Sequence, residues 1–127
     1  MTLKPFHTTS APAAIGPYSQ AVAVSNLLFC SGQVALDPES MEMVGDTAAL
    51  QCEQVMKNLT AVLTSAGCSL EQVCKTTVYL TTMDDFVSVN EVYGRHFGDH
   101  RPARAAIAVK ELPKGGLVEI DCIAVLS

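Results

Sequence analysis

Apolar residues recur at helical spacing between residues 46 and 67, and this is the clearest pattern in the chain. Asp46 is suited to cap the start of this segment and Gly67 to end it. Glu53 and Asn58 are among the polar residues on the opposite side. The pattern predicts a long amphipathic helix that covers one flat apolar surface. Its apolar positions follow the i, i+3, i+4, i+7 rule and are Cys52, Val55, Met56, Leu59, Val62, Leu63 and Ala66.

A second, shorter segment has the same spacing and predicts a helix that runs to about His96. Asp84 or Asp85 can cap its first turn, and Gly98 stops it. The residues predicted to face inward are Phe86, Val89, Val92, Tyr93 and Phe97.

Short apolar or alternating runs predict strands before, between and after these helices. Ser25-Asn26 has the right length for a two-residue hairpin turn. From residue 74 the pattern alternates, with Cys74 and Thr76 on one face and Lys75 on the other. The predicted strands cover residues 20–24, 27–34, 74–80, 105–109 and 117–126, and the strand 105–109 is expected to be buried.

The last predicted strand is apolar on both faces, with Val118 and Ile120 on one and Leu117 and Ile123 on the other. Strands of this kind are buried on both sides. Two helices can cover only one face of the sheet, so a partner chain is needed for the second face. The prediction is an α+β fold in which residues 1–127 form one domain that oligomerises through its open sheet face.

Composition narrows the function classes. The net charge is −5 and no stretch clusters lysine and arginine, which disfavours a nucleic acid as partner. Five cysteines without a Cys-X-X-Cys spacing favour a reducing compartment, so the predicted location is cytoplasmic. No apolar run approaches 18 residues, so no membrane partner is expected.

Two charged residues are candidates for chemistry. Arg104 leads into the strand 105–109, where it is either a solvated charge or a planar fork that holds a carboxylate through two charge-assisted hydrogen bonds. Glu119 shares a face with Asp121 inside an otherwise apolar strand. Burying a carboxylate is costly unless it is paired, so Glu119 is either a structural ion-pair or sheet-edge residue or part of a site wall.

Two turns add polar groups. Pro17 fixes its own backbone and thereby orients Tyr18, which either packs at the surface or offers its hydroxyl to water or substrate. Ser31 and Gly32 form either a bulge or a place where a ligand approaches the backbone. His96 and His100 have the spacing of metal ligands, but no third ligand accompanies them, and neither a metal nor a cofactor is predicted.

Several segments together resemble the RidA/YjgF family of reactive-intermediate deaminases. The resemblance runs from about residue 8 to the C-terminus, with the motifs in the order of the family. The segments are Ala-Pro-Ala-Ala-Ile-Gly-Pro-Tyr-Ser-Gln-Ala at 11–21, Ser-Gly-Gln at 31–33, Val-Cys-Lys-Thr-Thr-Val at 73–78, Asp-Asp-Phe at 84–86, Val-Asn-Glu-Val-Tyr at 89–93, Pro-Ala-Arg at 102–104 and Val-Glu-Ile-Asp-Cys-Ile-Ala at 118–124.

This resemblance implies a chorismate-mutase-like α+β fold, with a mixed sheet, two helices on one face and a homotrimer with sites between subunits. It implies hydrolysis of enamines and imines such as 2-aminoacrylate, 2-iminopropanoate and 2-iminobutanoate to 2-oxo acids and ammonia. The site residues it implies are Arg104 as carboxylate clamp, Tyr18 and Glu119 for the water and the amine, Ser31 and Gly32 in the pocket, Phe86 and Asn90 closing it, and the backbone of Ala106.

One position departs from the family pattern. Members often have serine or threonine and then cysteine or valine directly after the arginine, where this chain has Ala105 and Ala106. A backbone contact survives that change and a hydroxyl or thiol contact does not, so substrate preference depends on it. Two other functions stay open: an endoribonuclease or translation inhibitor, and a non-catalytic trimer that binds small carboxylates.

Overall fold

Within residues 2–127, which the computed structural model describes, the chain forms six β-strands and two α-helices. The element types predicted from sequence are confirmed, and one strand at the start of the chain was missed. That strand has three residues and contains Pro5, so it is too short to show alternation. The elements are β1 Lys4–Phe6, β2 Ala21–Val24, β3 Leu27–Gln33, α1 Ala48–Ser65, β4 Val73–Leu80, α2 Phe86–Phe97, β5 Ala103–Ala108 and β6 Val118–Val125.

The strands form one mixed sheet in the order β1-β2-β3-β6-β4-β5. Neighbouring strands are antiparallel, except that β4 and β5 run parallel. The crossover between these two contains α2, because a parallel pair cannot be joined by a hairpin. Ser25-Asn26 joins β2 to β3, and Ser25 has the positive φ of 53° that tight hairpin turns use. The predicted hairpin and mixed sheet are confirmed.

α1 buries the predicted apolar stripe completely from Cys52 to Leu63. Thr47 is its N-cap, with the hydroxyl accepting a hydrogen bond from the Leu50 backbone N–H at 3.2 Å. The predicted cap, Asp46, is wrong by one residue, because the extended cap conformation falls on Thr47, whose side chain can also accept the hydrogen bond. Gly67 comes directly after the C-cap residue Ala66 and has a φ of 77°, so it ends the helix as predicted.

Asn58 is buried, so the prediction that it lies on the outer side of α1 is wrong. Its side-chain nitrogen donates to the carbonyls of Val34 and Leu36, at 3.2 and 2.9 Å. These bonds satisfy a buried amide and attach the loop after β3 to the helix. The sequence pattern placed Asn58 on the outer side of the helix only because its side chain is polar.

α2 begins after a single 3-10 turn, Met83–Asp85. The predicted capping by Asp84 or Asp85 is not observed: Asp85 occupies the cap position of α2 without a side-chain hydrogen bond, and Thr82 caps the preceding turn. Gly98 ends the helix as predicted, with a φ of 63°. Among residues 2–127, neither helix has the length and apolar character that crossing a membrane requires.

Both helices pack on the same face of the sheet. The hydroxyls of Tyr93 on α2 and Thr76 on β4 are 2.7 Å apart and buried. On β6, the residues Val118, Ile120, Cys122 and Ala124 face the helices and are buried.

The opposite face of the sheet is open in the single chain. Phe29 and Ile107 lie on it with 43% and 45% of their surface exposed, and Val125 with 36%. The prediction of a buried strand at 105–109 is therefore wrong for the isolated chain, because β5 lies at the end of the sheet and most of its residues are exposed. The open sheet face is defined here as the side that carries Phe29, Ile107 and Val125.

Cys74 does not share a face with Thr76, as the alternating pattern predicted, but is exposed. The pairing of β4 with β6 shifts between Val73 and Lys75, which is a β-bulge. The extra residue turns Cys74 outward and leaves Val73 in the buried position.

Candidate active site

A cleft of about 540 Å³ lies where the loop of residues 9–19 meets β3 and β6. Tyr18, Ser31, Gly32 and Glu119 line it together, as the resemblance implied for one part of the site. Tyr18 is exposed, so its side chain is accessible from solvent.

Gln20 and Ser31 hold the wall of this cleft in place. Ser31 donates through its hydroxyl to the carbonyl of Ser19 at 2.6 Å. The side-chain nitrogen of buried Gln20 donates to the carbonyl of Pro12 at 2.7 Å, and its oxygen accepts from the N–H of Thr8 at 2.7 Å. The loop that carries Tyr18 is thereby fixed by side chains, although it has no regular structure. Sequence reasoning missed Gln20, whose role depends on contacts 8 to 12 residues away.

The predicted bulge at Ser31-Gly32 is present, because the pairing of β3 with β6 shifts between Cys30 and Gln33. Gly32 lies directly against Glu119. A Cβ atom placed on Gly32 would be 2.1 Å from Oε2 of Glu119, which is well inside contact distance. Of the two alternatives that the sequence offered, the bulge is therefore present, and the group packed against Gly32 is the Glu119 side chain. The approach of a ligand to the Gly32 backbone stays a prediction.

Glu119 has the electrostatic character of a proton carrier. Burial raises the pKa of its carboxyl above the ordinary range, and the nearby charge of Asp121 raises it further. Both effects disfavour the ionised form. A carboxyl that gives up its proton closer to neutral pH is suited to general acid and base catalysis.

Arg104 lies elsewhere in the chain, on β5 at the end of the sheet. Its guanidinium carbon is 5.0 Å from the ring centre of Tyr93 and 5.4 Å from that of Phe86. Its Nη1 donates to Oδ1 of Asn90 at 2.5 Å. Two aromatic rings and one amide therefore hold the guanidinium against α2, while Arg104 itself stays exposed.

A second cleft, of about 440 Å³, is lined by Arg104, Asn90 and Tyr93. Ala106 is two residues after Arg104 on β5 and faces the same side of the sheet, which is the helix side. Tyr93 was predicted only as a core residue. Its spacing from Phe86 and Asn90, seven and three residues, already puts all three on one face of α2.

Arg101 lines this second cleft too, but its guanidinium serves a local structural purpose. It donates to the carbonyls of Gly98 and His100, in the loop that follows α2. Arg101 and Arg104 are therefore distinguishable: the guanidinium of Arg101 binds carbonyls of its own loop, and that of Arg104 is presented to a cleft.

The single chain brings the predicted residues together in two groups and not in one. Ser31 and Gly32 on β3 are three strand spacings from Arg104 on β5, about 14 Å, and Glu119 on β6 is two spacings away, about 10 Å. Arg104 also projects on the helix side, whereas Glu119 projects on the opposite side. We call the cleft with Tyr18, Ser31, Gly32 and Glu119 the acid cleft and the one with Arg104 and Asn90 the arginine cleft.

Comparison with known proteins gives consistent matches over almost the whole chain. Residues 8–126 match the family described as Endoribonuclease L-PSP. The 2-iminobutanoate/2-iminopropanoate deaminase of Mus musculus is 51% identical over 122 residues, which is 96% of this chain and 90% of the mouse protein.

Two solved structures are similar to the chain over its whole length. A Thermotoga maritima protein named as a candidate endoribonuclease has a TM-score of 0.95 and 52% identity, covering 98% of both chains. E. coli TdcF with bound serine has a TM-score of 0.92 and 38% identity, covering 98% of this chain and 99% of TdcF. The fold is thus shared by proteins whose names refer to different activities.

Proposed function

This chain belongs to the endoribonuclease L-PSP (RidA/YjgF) family, and on that premise we propose that it hydrolyses small 2-imino acids and their enamine tautomers to 2-oxo acids and ammonia. The observation that carries the proposal is the carboxyl of Glu119, half-buried in the acid cleft with its pKa raised by burial and by Asp121. Relatives named 2-iminobutanoate/2-iminopropanoate deaminase at 46–51% identity support the choice of substrate.

Imine hydrolysis needs little from the protein beyond orientation and proton transfer. Water adds to the imine carbon while the Glu119 carboxylate accepts the water proton. That proton passes to the imine nitrogen and gives a neutral carbinolamine. The carboxylate then accepts the proton of the carbinolamine hydroxyl and delivers it to the nitrogen as the C–N bond breaks, so that the carbonyl forms and ammonia leaves. Tyr18 and Ser31 line the cleft as hydroxyl groups that can orient the water. General acid and base catalysis of this type contributes roughly 10²- to 10⁴-fold.

Arg104 supplies the second requirement, a binding site for the substrate carboxylate. A guanidinium offers a rigid fork that holds a carboxylate through two parallel hydrogen bonds. Asn90 uses one donor of Arg104, and the aromatic rings of Tyr93 and Phe86 fix its plane. TdcF, a relative with bound serine, supports a small amino-acid-like ligand for this fold.

The two clefts can serve one substrate only if two chains combine them. We propose a homotrimer in which the open sheet face is buried and the arginine cleft of one subunit adjoins the acid cleft of its neighbour. The exposure of Phe29, Ile107 and Val125 supports this arrangement, because large apolar side chains left exposed on one face of a sheet are typical of an interface.

A coupled assay tests the function. A serine/threonine dehydratase generates 2-aminoacrylate, and the added protein should speed pyruvate release. Glu119→Gln and Arg104→Ala should each lower that acceleration by about 10²-fold or more, since each removes a group from the reaction. Arg95→Ala is the matched control and should keep the acceleration, because its guanidinium pairs with Glu53 outside both clefts. Full activity in Arg104→Ala would exclude the clamp.

The endoribonuclease activity suggested by the names of other relatives has a different physical signature. A net charge of −5 leaves little attraction for phosphate. RNA binding measured over a salt series should be weak and should show only a shallow salt dependence. A steep dependence together with RNA cleavage would favour the nuclease over the deaminase.

A further inference from the structure

Asp121 lies two residues beyond Glu119 on β6. Both residues alternate with buried neighbours, so their side chains project on the same half-buried side of the strand. At the usual rise per residue, their backbones are about 7 Å apart. Two carboxylates this close, with part of their hydration removed, do not ionise independently, and one of them retains a proton to higher pH.

Tyr79 on β4 distinguishes between the two acids. Its backbone is directly opposite Glu119 in the antiparallel register, but its hydroxyl reaches diagonally and donates to Oδ2 of Asp121 at 3.0 Å. A hydrogen bond donated to a carboxylate favours the ionised form. The geometry therefore assigns the negative charge to Asp121.

We propose that Asp121 is a positioning residue, whose carboxylate is held by Tyr79 so that the exchangeable proton of the pair resides on Glu119. The inference deepens the proposed deamination and rests on it, because it explains how Glu119 can both accept and return a proton. Nothing in the reaction requires Asp121 to touch the substrate.

The other groups around Glu119 do not replace Asp121 in this role. On β3, Ser31 and Gly32 carry no charge. Tyr18 and Lys114 line the walls of the same cleft, and both are exposed. The ammonium of Lys114 would favour the ionised form of Glu119, which is the opposite effect, and solvent screens it. Burial and the charge of Asp121 are the two causes that raise the pKa of Glu119.

Carboxyl ¹³C NMR of the full chain tests the assignment without any turnover. Replacing Asp121 by asparagine keeps the shape but removes the charge, so in Asp121→Asn the Glu119 carboxyl should titrate at lower pH than in the wild type. Asp121→Glu should restore the wild-type midpoint. In Tyr79→Phe, the Glu119 carboxyl should also titrate at lower pH than in the wild type, because the donor that favours the charge on Asp121 is gone.

The pH profile of the coupled assay gives the kinetic counterpart, with the imine-generating enzyme in excess. The acid limb of kcat/KM reports the essential base of the free enzyme, so in Asp121→Asn it should move to lower pH. At one pH unit below the midpoint of the wild-type acid limb, kcat/KM of Asp121→Asn should be severalfold higher than that of the wild type. About tenfold is the upper limit of this increase. A residue that only maintains structure would lower the whole profile without moving the limb.

The outcomes separate the two proposals. An unchanged Glu119 midpoint in Asp121→Asn, in a protein with wild-type mass and circular dichroism, would overturn the role of Asp121. Should that variant not fold, a Glu119 midpoint in Tyr79→Phe that stays at the wild-type value or rises above it would overturn the role of Asp121. A wild type that does not accelerate imine hydrolysis would refute the deaminase function, whatever the NMR titration shows.

Discussion

At Gly32, the absence of a side chain is what admits the carboxylate of Glu119. The φ angle of Gly32 is not in the left-handed region, so its role is steric and not conformational. Glu119 thereby lies directly against the bulge of β3. A single methyl group at this position would push the proposed acid–base group out of place.

Gly32→Ala should therefore abolish most of the imine hydrolysis while the fold survives. The added Cβ would overlap Oε2 of Glu119, and a flexible carboxylate can move away at small cost in stability. The coupled dehydratase assay and thermal unfolding would measure the two effects. Gly94→Ala is the control for the unfolding measurement alone, because Gly94 lines the arginine cleft: nothing lies within 4 Å of its added Cβ, and alanine in a helix stabilises by about 0.5–1 kcal/mol. Equal activity in Gly32→Ala and wild type would contradict the close-contact argument.

Residue-scale chemistry could be predicted where a residue type is unusual in its surroundings. An acid in an apolar strand drew attention to Glu119, and an arginine before an apolar strand drew attention to Arg104. Tyr93 and Gln20 escaped notice because a core aromatic residue and a polar residue at a strand start are unremarkable in sequence. Their importance comes from what they contact.

Helix α1 shows how far local rules determine an element. The periodicity of its apolar residues and Gly67 fix its extent within a residue, because both act over a few positions. The identity of the cap and the direction of Asn58 were not predicted. The cap depends on which residue adopts the extended conformation, and the direction of Asn58 depends on the carbonyls of Val34 and Leu36 in the loop after β3.

The cap of α1 can be tested by comparing two neighbouring substitutions. Thr47→Ala should lower the free energy of unfolding by about 1 kcal/mol, because the Leu50 N–H loses its acceptor. Asp46→Ala, at the residue that sequence alone favoured, should change it much less. Urea denaturation of both variants would give the comparison. A larger loss in Asp46→Ala would restore Asp46 as the effective cap.

At the scale of the whole molecule, the chain has an apolar sheet face without a cover and two clefts that each hold part of the candidate chemistry. The proposed trimer accounts for both features through one assembly. The sequence predicted the uncovered sheet face, because two helices can cover only one face of the sheet. It did not anticipate that one chain would separate Arg104 from Glu119.

Phe29→Glu tests the proposed assembly. A carboxylate on the open sheet face would lose its hydration at the interface, at a cost of several kcal/mol. We expect light scattering to show the mass of three chains for the wild type and of one chain for the variant, with deaminase activity lost as the clefts separate. Val87→Glu, on the outer side of α2 and 77% exposed, should remain trimeric. A monomeric, fully active wild type would exclude shared sites.

The sequence by itself determined both helices, five of the six strands and the residue types available for chemistry. These follow from periodicity, caps and turns, which act between residues close together in the chain. Only the tertiary structure decided that Arg104 stacks on α2, that Glu119 lies against Gly32 and that Tyr79 binds Asp121. The physical reason is that strand order and register bring together residues tens of positions apart, and no local pattern encodes that pairing.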